Sequence, residues 1–173
     1  MEFTSDNGTT WKRTPPLNDK KIRIIQPSIL LLPGGRIEML CRSKSSVILS
    51  SWSDDNGFTW SDFVSTGLPN PDSGIDAVSL KDGRQLLVYN HIAKGRYMLN
   101  VAISENGSEW EAAALLENDE KNSEYSYPAV IQTSDGMVHI TYTWNRKQIK
   151  HVIIDPLKIS SKPFIDGRWP DEK

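Results

Sequence analysis

One string recurs along this chain and limits what it can fold into. Thr4-Ser5-Asp6-Asn7-Gly8-Thr9-Thr10-Trp11 and Ser53-Asp54-Asp55-Asn56-Gly57-Phe58-Thr59-Trp60 share Asp, Asn-Gly, Thr and Trp at one spacing, and Ile103-Ser104-Glu105-Asn106-Gly107-Ser108-Glu109-Trp110 is a worn third copy. Their tryptophans stand 49 and 50 residues apart. A period of this size marks a repeat architecture in which each unit buries its apolar face against a neighbour. The box itself is turn chemistry. Its Asp accepts backbone N–H groups across the turn, Asn-Gly tolerates positive φ, and Trp covers the hairpin with apolar area. The same chemistry accounts for the glycosylation-type strings Asn7-Gly8-Thr9 and Asn106-Gly107-Ser108 without any sugar.

Each unit can be read backwards from its box. Before the second box come Gln26–Leu32, the turn Pro33-Gly34-Gly35, Arg36–Arg42, a break at Lys44-Ser45, and Val47–Ser53. Before the third come Gly74–Leu80, the turn Lys81-Asp82-Gly83, Arg84–Asn90, a break at Ala93-Lys94-Gly95, and Tyr97–Ser104. A further unit begins at Tyr127–Gln132, turns at Ser134-Asp135-Gly136, runs Met137–Trp144, breaks at Asn145-Arg146 and continues Ile149–Ile154. Nine residues separate Gln26 from Gly35, Gly74 from Gly83, and Tyr127 from Gly136, so the repeat extends well beyond the boxes. The runs are rich in Val, Ile, Leu, Tyr and Thr and are punctuated by Gly-Gly and Asp-Gly turns, which predicts strands and hairpins. A meander of four antiparallel strands repeated every forty to fifty residues is the pattern of a β-propeller blade. The expected organisation is one all-β domain over 1–173: a box and outer strand in 1–20, then blades at 21–68, 69–120 and 121–173, the last with three visible strands.

The remaining composition excludes several function classes. A net charge of −2 with acid and base interspersed carries no nucleic-acid footprint and no polybasic membrane surface. Cys41 is the only cysteine, so no intrachain disulfide framework exists. No apolar stretch approaches transmembrane length, no signal region is visible, and the chain reads as soluble with its compartment unassigned. No spacing of His, Cys, Asp or Glu argues for a metal, and no cofactor is expected.

The pattern Ser-x-Asp-x-Gly-x-Thr-Trp resembles the Asp box of the sialidase superfamily, also called the bacterial neuraminidase (BNR) repeat. The second box matches at every defined position, the first with Thr4 for Ser, and the third in part. Gln26-Pro27-Ser28-Ile29-Leu30, Leu68–Ala77 and Glu124-Tyr125-Ser126-Tyr127-Pro128-Ala129 resemble the predicted-neuraminidase branch. The resemblance spans about Phe3 to Asp155 and implies a six-bladed propeller. About three blades are present, so the chain reads either as the C-terminal half of a longer protein or as half of a homodimer that completes a ring.

Strand geometry separates the two ends of each blade. First strands start and second strands end at one end, and the Gly turns and boxes lie at the other. Positions that stop repeating at the first end are the candidates for function. They are Gln26, Gly74-Ile75-Asp76, Tyr127, Arg42, Asn90, His91, Trp144, and the loop residues Arg96 and Arg146. Sialidase-type enzymes use a tyrosine nucleophile, an exception to the two-carboxylate rule. The resemblance adds a glutamate that activates it, an aspartate acid/base, and arginines that bind a sugar carboxylate bidentately.

By position Tyr127 corresponds to the tyrosine, with Tyr125 as its rival and packing as the plain alternative for either. Glu124 is the partner glutamate or a solvated loop residue. Asp76 faces a central cavity or caps the Ser73-Gly74 turn. Arg42, Arg96 and Arg146 follow second strands of different blades and could converge on one anion, Arg96 being weakened by a flexible Lys94-Gly95 loop. Gln26, Asn90, His91 and Trp144 complete the expected substrate contacts, while His139 and His151 alternate within strands and read as ordinary. The family's Arg-Ile-Pro motif appears only as Arg23-Ile24-Ile25-Gln26-Pro27, so its arginine is not carried over. Its acid/base aspartate belongs to an early blade outside this chain. Two functions follow: a glycoside hydrolase acting on terminal acidic sugars, inactive if the missing blades hold its acid, or a non-catalytic propeller binding glycan or protein.

Overall fold

The computed structural model describes residues 2, 3, 6–13, 17, 22–119 and 122–170, the backbone alone at 2 and 3. Thr4 and Ser5 of the first box lie outside the described residues. The architecture is all-β and built from successive antiparallel meanders. A two-stranded ladder, β1 (Glu2–Phe3) with β2 (Lys12–Arg13), brackets the first box. Blade one is β3 (Ile24–Leu31), β4 (Ile37–Ser43), β5 (Val47–Ser53) and β6 (Val64–Pro69). Blade two is β7 (Asp76–Ser79), β8 (Gln85–Tyr89), β9 (Met98–Ser104) and β10 (Glu111–Asn118). Blade three has three strands, β11 (Tyr125–Gln132), β12 (Val138–Trp144) and β13 (Gln148–Ile154).

The core lies between the blades. Leu30, Leu32 and Leu40 of blade one meet Ala77, Leu87 and Tyr89 of blade two, and Val88, Leu99 and Val101 meet Val130, Ile140 and Tyr142 of blade three. Blade two is covered on both faces, which is why every residue of β8 and β9 is buried although their sequences alternate little in polarity. The outer blades each have one open face, and there β3 and β13 alternate or lie exposed. Asp76 stitches the three inner strands together. Its Oδ1 accepts from Ser28 Oγ and the Ala77 N–H, both at 3.0 Å, and its Oδ2 accepts from the Val130 N–H at 2.8 Å. Neither a free face on a cavity nor a cap on the Ser73-Gly74 turn describes it.

The boxes behave as turn chemistry dictates. Asp6 and Asp55 each accept from the N–H and hydroxyl of the Thr four residues on, at 2.8 and 2.6 Å, and these bonds hold the Asp55 carboxyl down at about 2. In all three boxes the Trp Nε1–H donates to the Gly carbonyl, Trp11 to Gly8, Trp60 to Gly57 and Trp110 to Gly107. The third copy is one residue shorter than the second. Gly57 N–H donates to Ser53 Oγ and Gly107 N–H to Ser104 Oγ, and Asn106 Oδ1 takes the Glu109 N–H as Asp55 takes that of Thr59. Ser104, not Ile103, therefore stands in the place of Ser53.

Glu38, on β4, is wholly buried against this third box, and neither carboxyl oxygen has a hydrogen-bond partner. Burial raises its pKa from 4.5 to about 8. The folded state thus holds a proton that the unfolded chain releases near pH 4.5. Its contribution is fully present below that value and is lost as pH rises through about 8. Glu38→Gln, which cannot ionise, is expected to raise stability by about 2–4 kcal/mol at pH 9 and by little at pH 4.5. Urea midpoints at the two pH values check this.

Candidate functional site

At the end remote from the boxes, the first strands of blades one and three carry the same distortion. The ladder is bulged between Ile25 and Pro27 in β3 and between Ser126 and Ala129 in β11. Gln26 and Tyr127 occupy these bulges with φ of 53° and 52°, each immediately before a proline. A non-glycine residue in the left-handed region is strained by about 1–3 kcal/mol, and strain of this kind concentrates at functional positions. The equivalent in blade two is Gly74. A Cβ there would lie 3.2 Å from Tyr127 Cδ1 and 3.7 Å from Gln26 Oε1, so the two strained residues meet over the space this glycine leaves. Gln26 and Tyr127 are both exposed.

A charged cluster surrounds Tyr127. The Arg96 guanidinium lies over its ring, 5.5 Å from the centroid, a cation–π arrangement. Arg96 Nη1 is 3.3 Å from Glu124 Oε1, and Arg146 Nε is 2.7 Å from Glu124 Oε2. Ser126 Oγ also donates to Glu124 Oε1, at 3.1 Å. Burial works against ionisation of Glu124, yet hydrogen bonds from Arg146 and Ser126 and the charges of both arginines outweigh it and hold the carboxyl below its ordinary range.

The backbone fixes this geometry. The Tyr125 N–H donates to the Arg96 carbonyl at 2.8 Å, pinning the loop after β8 to the start of β11, so Arg96 is ordered despite its Lys94-Gly95 neighbours. Asn145 donates its N–H to the Glu124 carbonyl and accepts the Glu124 N–H on Oδ1, both at 2.7 Å. Asn145 and Arg146 are consecutive left-handed residues, φ 50° and 53°, and this tight turn aims Arg146 back at Glu124.

Other expected site residues are held in the scaffold. Tyr125 is buried; its hydroxyl donates to Asp119 Oδ2 at 3.0 Å, and burial, followed by Asp119, raises its pKa. Asn90 is wholly buried and donates to the Met98 and Tyr125 carbonyls. His91 is buried beneath the C-terminal segment, with Phe164 stacked at 4.6 Å and Trp169 at 5.4 Å. Its Nε2–H donates to the Gly167 carbonyl at 3.0 Å, so Nδ1 accepts from the Tyr89 hydroxyl. Burial lowers the His91 pKa in spite of the Gly167 bond. Asn90 and His91 are thus buried within this chain and engaged by protein groups, where the sequence led to an expectation of substrate contacts.

Trp144 is half-buried beside Tyr125, ring centroids 6.3 Å apart. Arg42 does not join the cluster: its Nε lies 3.4 Å from Asp72 Oδ1, and Nε and Nη1 are buried without hydrogen bonds. The arginines that do converge, Arg96 and Arg146, converge on Glu124. Ser126, Asn145 and Asp72 were missed in the sequence. An Asn at the break after a second strand was the one readable signal, since Asn tolerates the left-handed turn. Among the described residues, no group of three or more His, Cys, Asp or Glu side chains is placed to hold a metal ion.

The profile of a BNR repeat-like domain matches residues 1–140. No protein of curated function matches the sequence. Among solved structures, the intramolecular trans-sialidase of Ruminococcus gnavus superposes with a TM-score of 0.75 at 19% identity, over 94% of this chain and 39% of that one. The leech intramolecular trans-sialidase gives 0.70 at 19% identity, over 88% of this chain and 26% of that one. The NanB sialidase of Streptococcus pneumoniae gives 0.70 at 17% identity, over 92% and 27%. The fold is that of a sialidase β-propeller, and this chain spans well under half the length of each of these relatives.

Proposed function

This chain belongs to the BNR repeat-like domain family, and on that premise we propose that it is part of a sialidase-type glycoside hydrolase acting on a terminal acidic sugar of a glycan. The observation that carries the reading is Tyr127, exposed in a strained backbone bulge, with Arg96 on its ring and Arg96 and Arg146 gathered by Glu124. The Tyr127 oxygen attacks the anomeric carbon as the bond to the leaving group breaks, and Glu124 takes the phenolic proton. Water then attacks the same carbon as the bond to the Tyr127 oxygen breaks, Glu124 returns its proton to that oxygen, and the water's surplus proton passes to the acid's conjugate base or to solvent, so configuration is retained. Arg146, largely solvated, and Arg96 bind the sugar carboxylate, and Gln26 lines the opposite rim. Arg42, Asn90, His91 and Trp144 act by shaping this end. Asp76 holds the inner strands in register, so the acid that protonates a natural leaving group comes from another blade. Further blades, from the rest of a longer protein or from a second copy, complete the ring.

The alternative, a non-catalytic propeller binding glycan at the same end, is favoured by one observation: both arginines already have a protein carboxylate. An aryl glycoside separates the two, because a good leaving group departs without an acid catalyst. The hydrolase reading expects release of the aryl group from an aryl sialoside, and weakening of free sialic acid binding by about tenfold in Arg146→Ala, roughly one exposed charge-assisted hydrogen bond. Binding without release supports the alternative. Neither binding nor release contradicts both.

A further inference from the structure

All eleven glycines fall among the described residues, and ten of them have positive φ; Gly74 is the exception. Turn geometry therefore does not account for a glycine at this position, since its backbone is one that other residues adopt. The surroundings account for it instead. A Cβ on Gly74 would stand 3.2 Å from Tyr127 Cδ1, 3.6 Å from Tyr127 Cα and 3.7 Å from Gln26 Oε1. The last two are ordinary contacts, whereas the first falls below the roughly 3.5–4.0 Å at which carbon atoms pack best. The missing side chain makes room for one thing, the ring of Tyr127. By repeat position Gln26, Gly74 and Tyr127 are equivalent, each nine residues before a turn glycine. The outer two carry side chains on left-handed bulges, and the middle one is buried and carries none.

We propose that Gly74 is a positioning residue for Tyr127: its bare Cα is the seat against which the ring packs, and this seat sets where the phenol oxygen stands relative to Glu124. The proposal rests on the hydrolase reading above for what the phenol does, and on the contact alone for where the ring stands. The ring has little room to give way. Its backbone is fixed in the bulge before Pro128, and the Arg96 guanidinium lies over it, 5.5 Å from the centroid. Arg96 is itself tied down, by Glu124 Oε1 at 3.3 Å and by the Tyr125 N–H on its carbonyl at 2.8 Å. A methyl group on Gly74 would displace the ring by a few tenths of an ångström. Proton transfer needs Glu124 within hydrogen-bond reach of the phenol, and since a misplacement of about 1 Å can cost about a hundredfold in rate, the smaller shift is expected to cost about tenfold.

The test joins a double-mutant cycle on stability to kinetics. Tyr127 is 53% exposed, so Tyr127→Ala empties the seat without opening the core. In the wild-type background Gly74→Ala is expected to lower the melting temperature. In the Tyr127→Ala background the same change is expected to raise it, because alanine at an ordinary φ restricts the unfolded chain more than glycine does. With an aryl sialoside, Gly74→Ala should lower kcat about tenfold and leave KM within about threefold, a split that a general loosening of the fold would not give. The cycle needs no catalysis, so a wild type that releases nothing ends the hydrolase reading while the melting temperatures still decide the contact. The same change in melting temperature in both backgrounds, or an active wild type whose kcat Gly74→Ala leaves unchanged, overturns the proposal.

Discussion

Tyr127→Phe is expected to lower release from an aryl sialoside by about a thousandfold or more, since removing a nucleophile costs at least that much where it has been measured. Tyr125→Phe is expected to act differently. Its hydroxyl is spent on Asp119 in a buried setting, so losing it should destabilise the fold by about 1 kcal/mol and leave the rate within roughly tenfold. The two tyrosines are two residues apart, yet only Tyr127 lies in the left-handed bulge, outside the ordinary alternation of β11. Rates at saturating substrate, with melting temperatures for both variants, decide between them. Equal rate losses, or a larger loss in Tyr125→Phe, would count against the site as described.

The second large effect concerns stability at the opposite end. Gly107 has φ of +79°, and a Cβ there would lie 2.4 Å from Glu38 Oε2 and 3.1 Å from Leu32 Cδ2. Gly83 has φ of +92° with nothing within 4 Å of its Cβ position. Gly83→Ala therefore measures backbone strain alone, about 1–2 kcal/mol. Gly107→Ala adds overpacking of about 1–3 kcal/mol, for a total near 2–5 kcal/mol. The difference between the two urea midpoints reports the blade junction directly. Equal losses would mean that Glu38 moves aside at no cost and the junction is loosely packed.

Much of the fold was legible because repeats state their own register. The tryptophans of the three boxes set the period, and the nine-residue spacing from Gln26, Gly74 and Tyr127 to the turn glycines placed every first strand. Which end carries the non-repeating polar positions followed from strand direction alone. Side-chain fate did not follow, because it depends on neighbours the sequence does not reveal. Asn90 and His91 stand at a second-strand end just as Arg42 does, but blade two is covered on both sides, and the C-terminal segment, which carried no repeat signal, closes over His91. Asp76 was singled out by its position, and what its position does is structural: an acid at an inner-strand start binds polar groups of its own blade and of the blade on either side. The arginine pair was found by its loops, but its meeting on Glu124 required the backbone pairing between Arg96 and β11.

The central claim is that chemistry occurs at the end opposite the boxes, through Tyr127. It is tested most directly by incubating the protein with a fluorinated sialoside carrying a good leaving group, which arrests a retaining glycosidase at its covalent intermediate, and locating the adduct by peptide mass mapping. A single glycosyl adduct on the peptide containing Tyr127, absent in Tyr127→Phe, is the predicted result. An adduct on another residue, or none while the aryl sialoside is still hydrolysed, would contradict it.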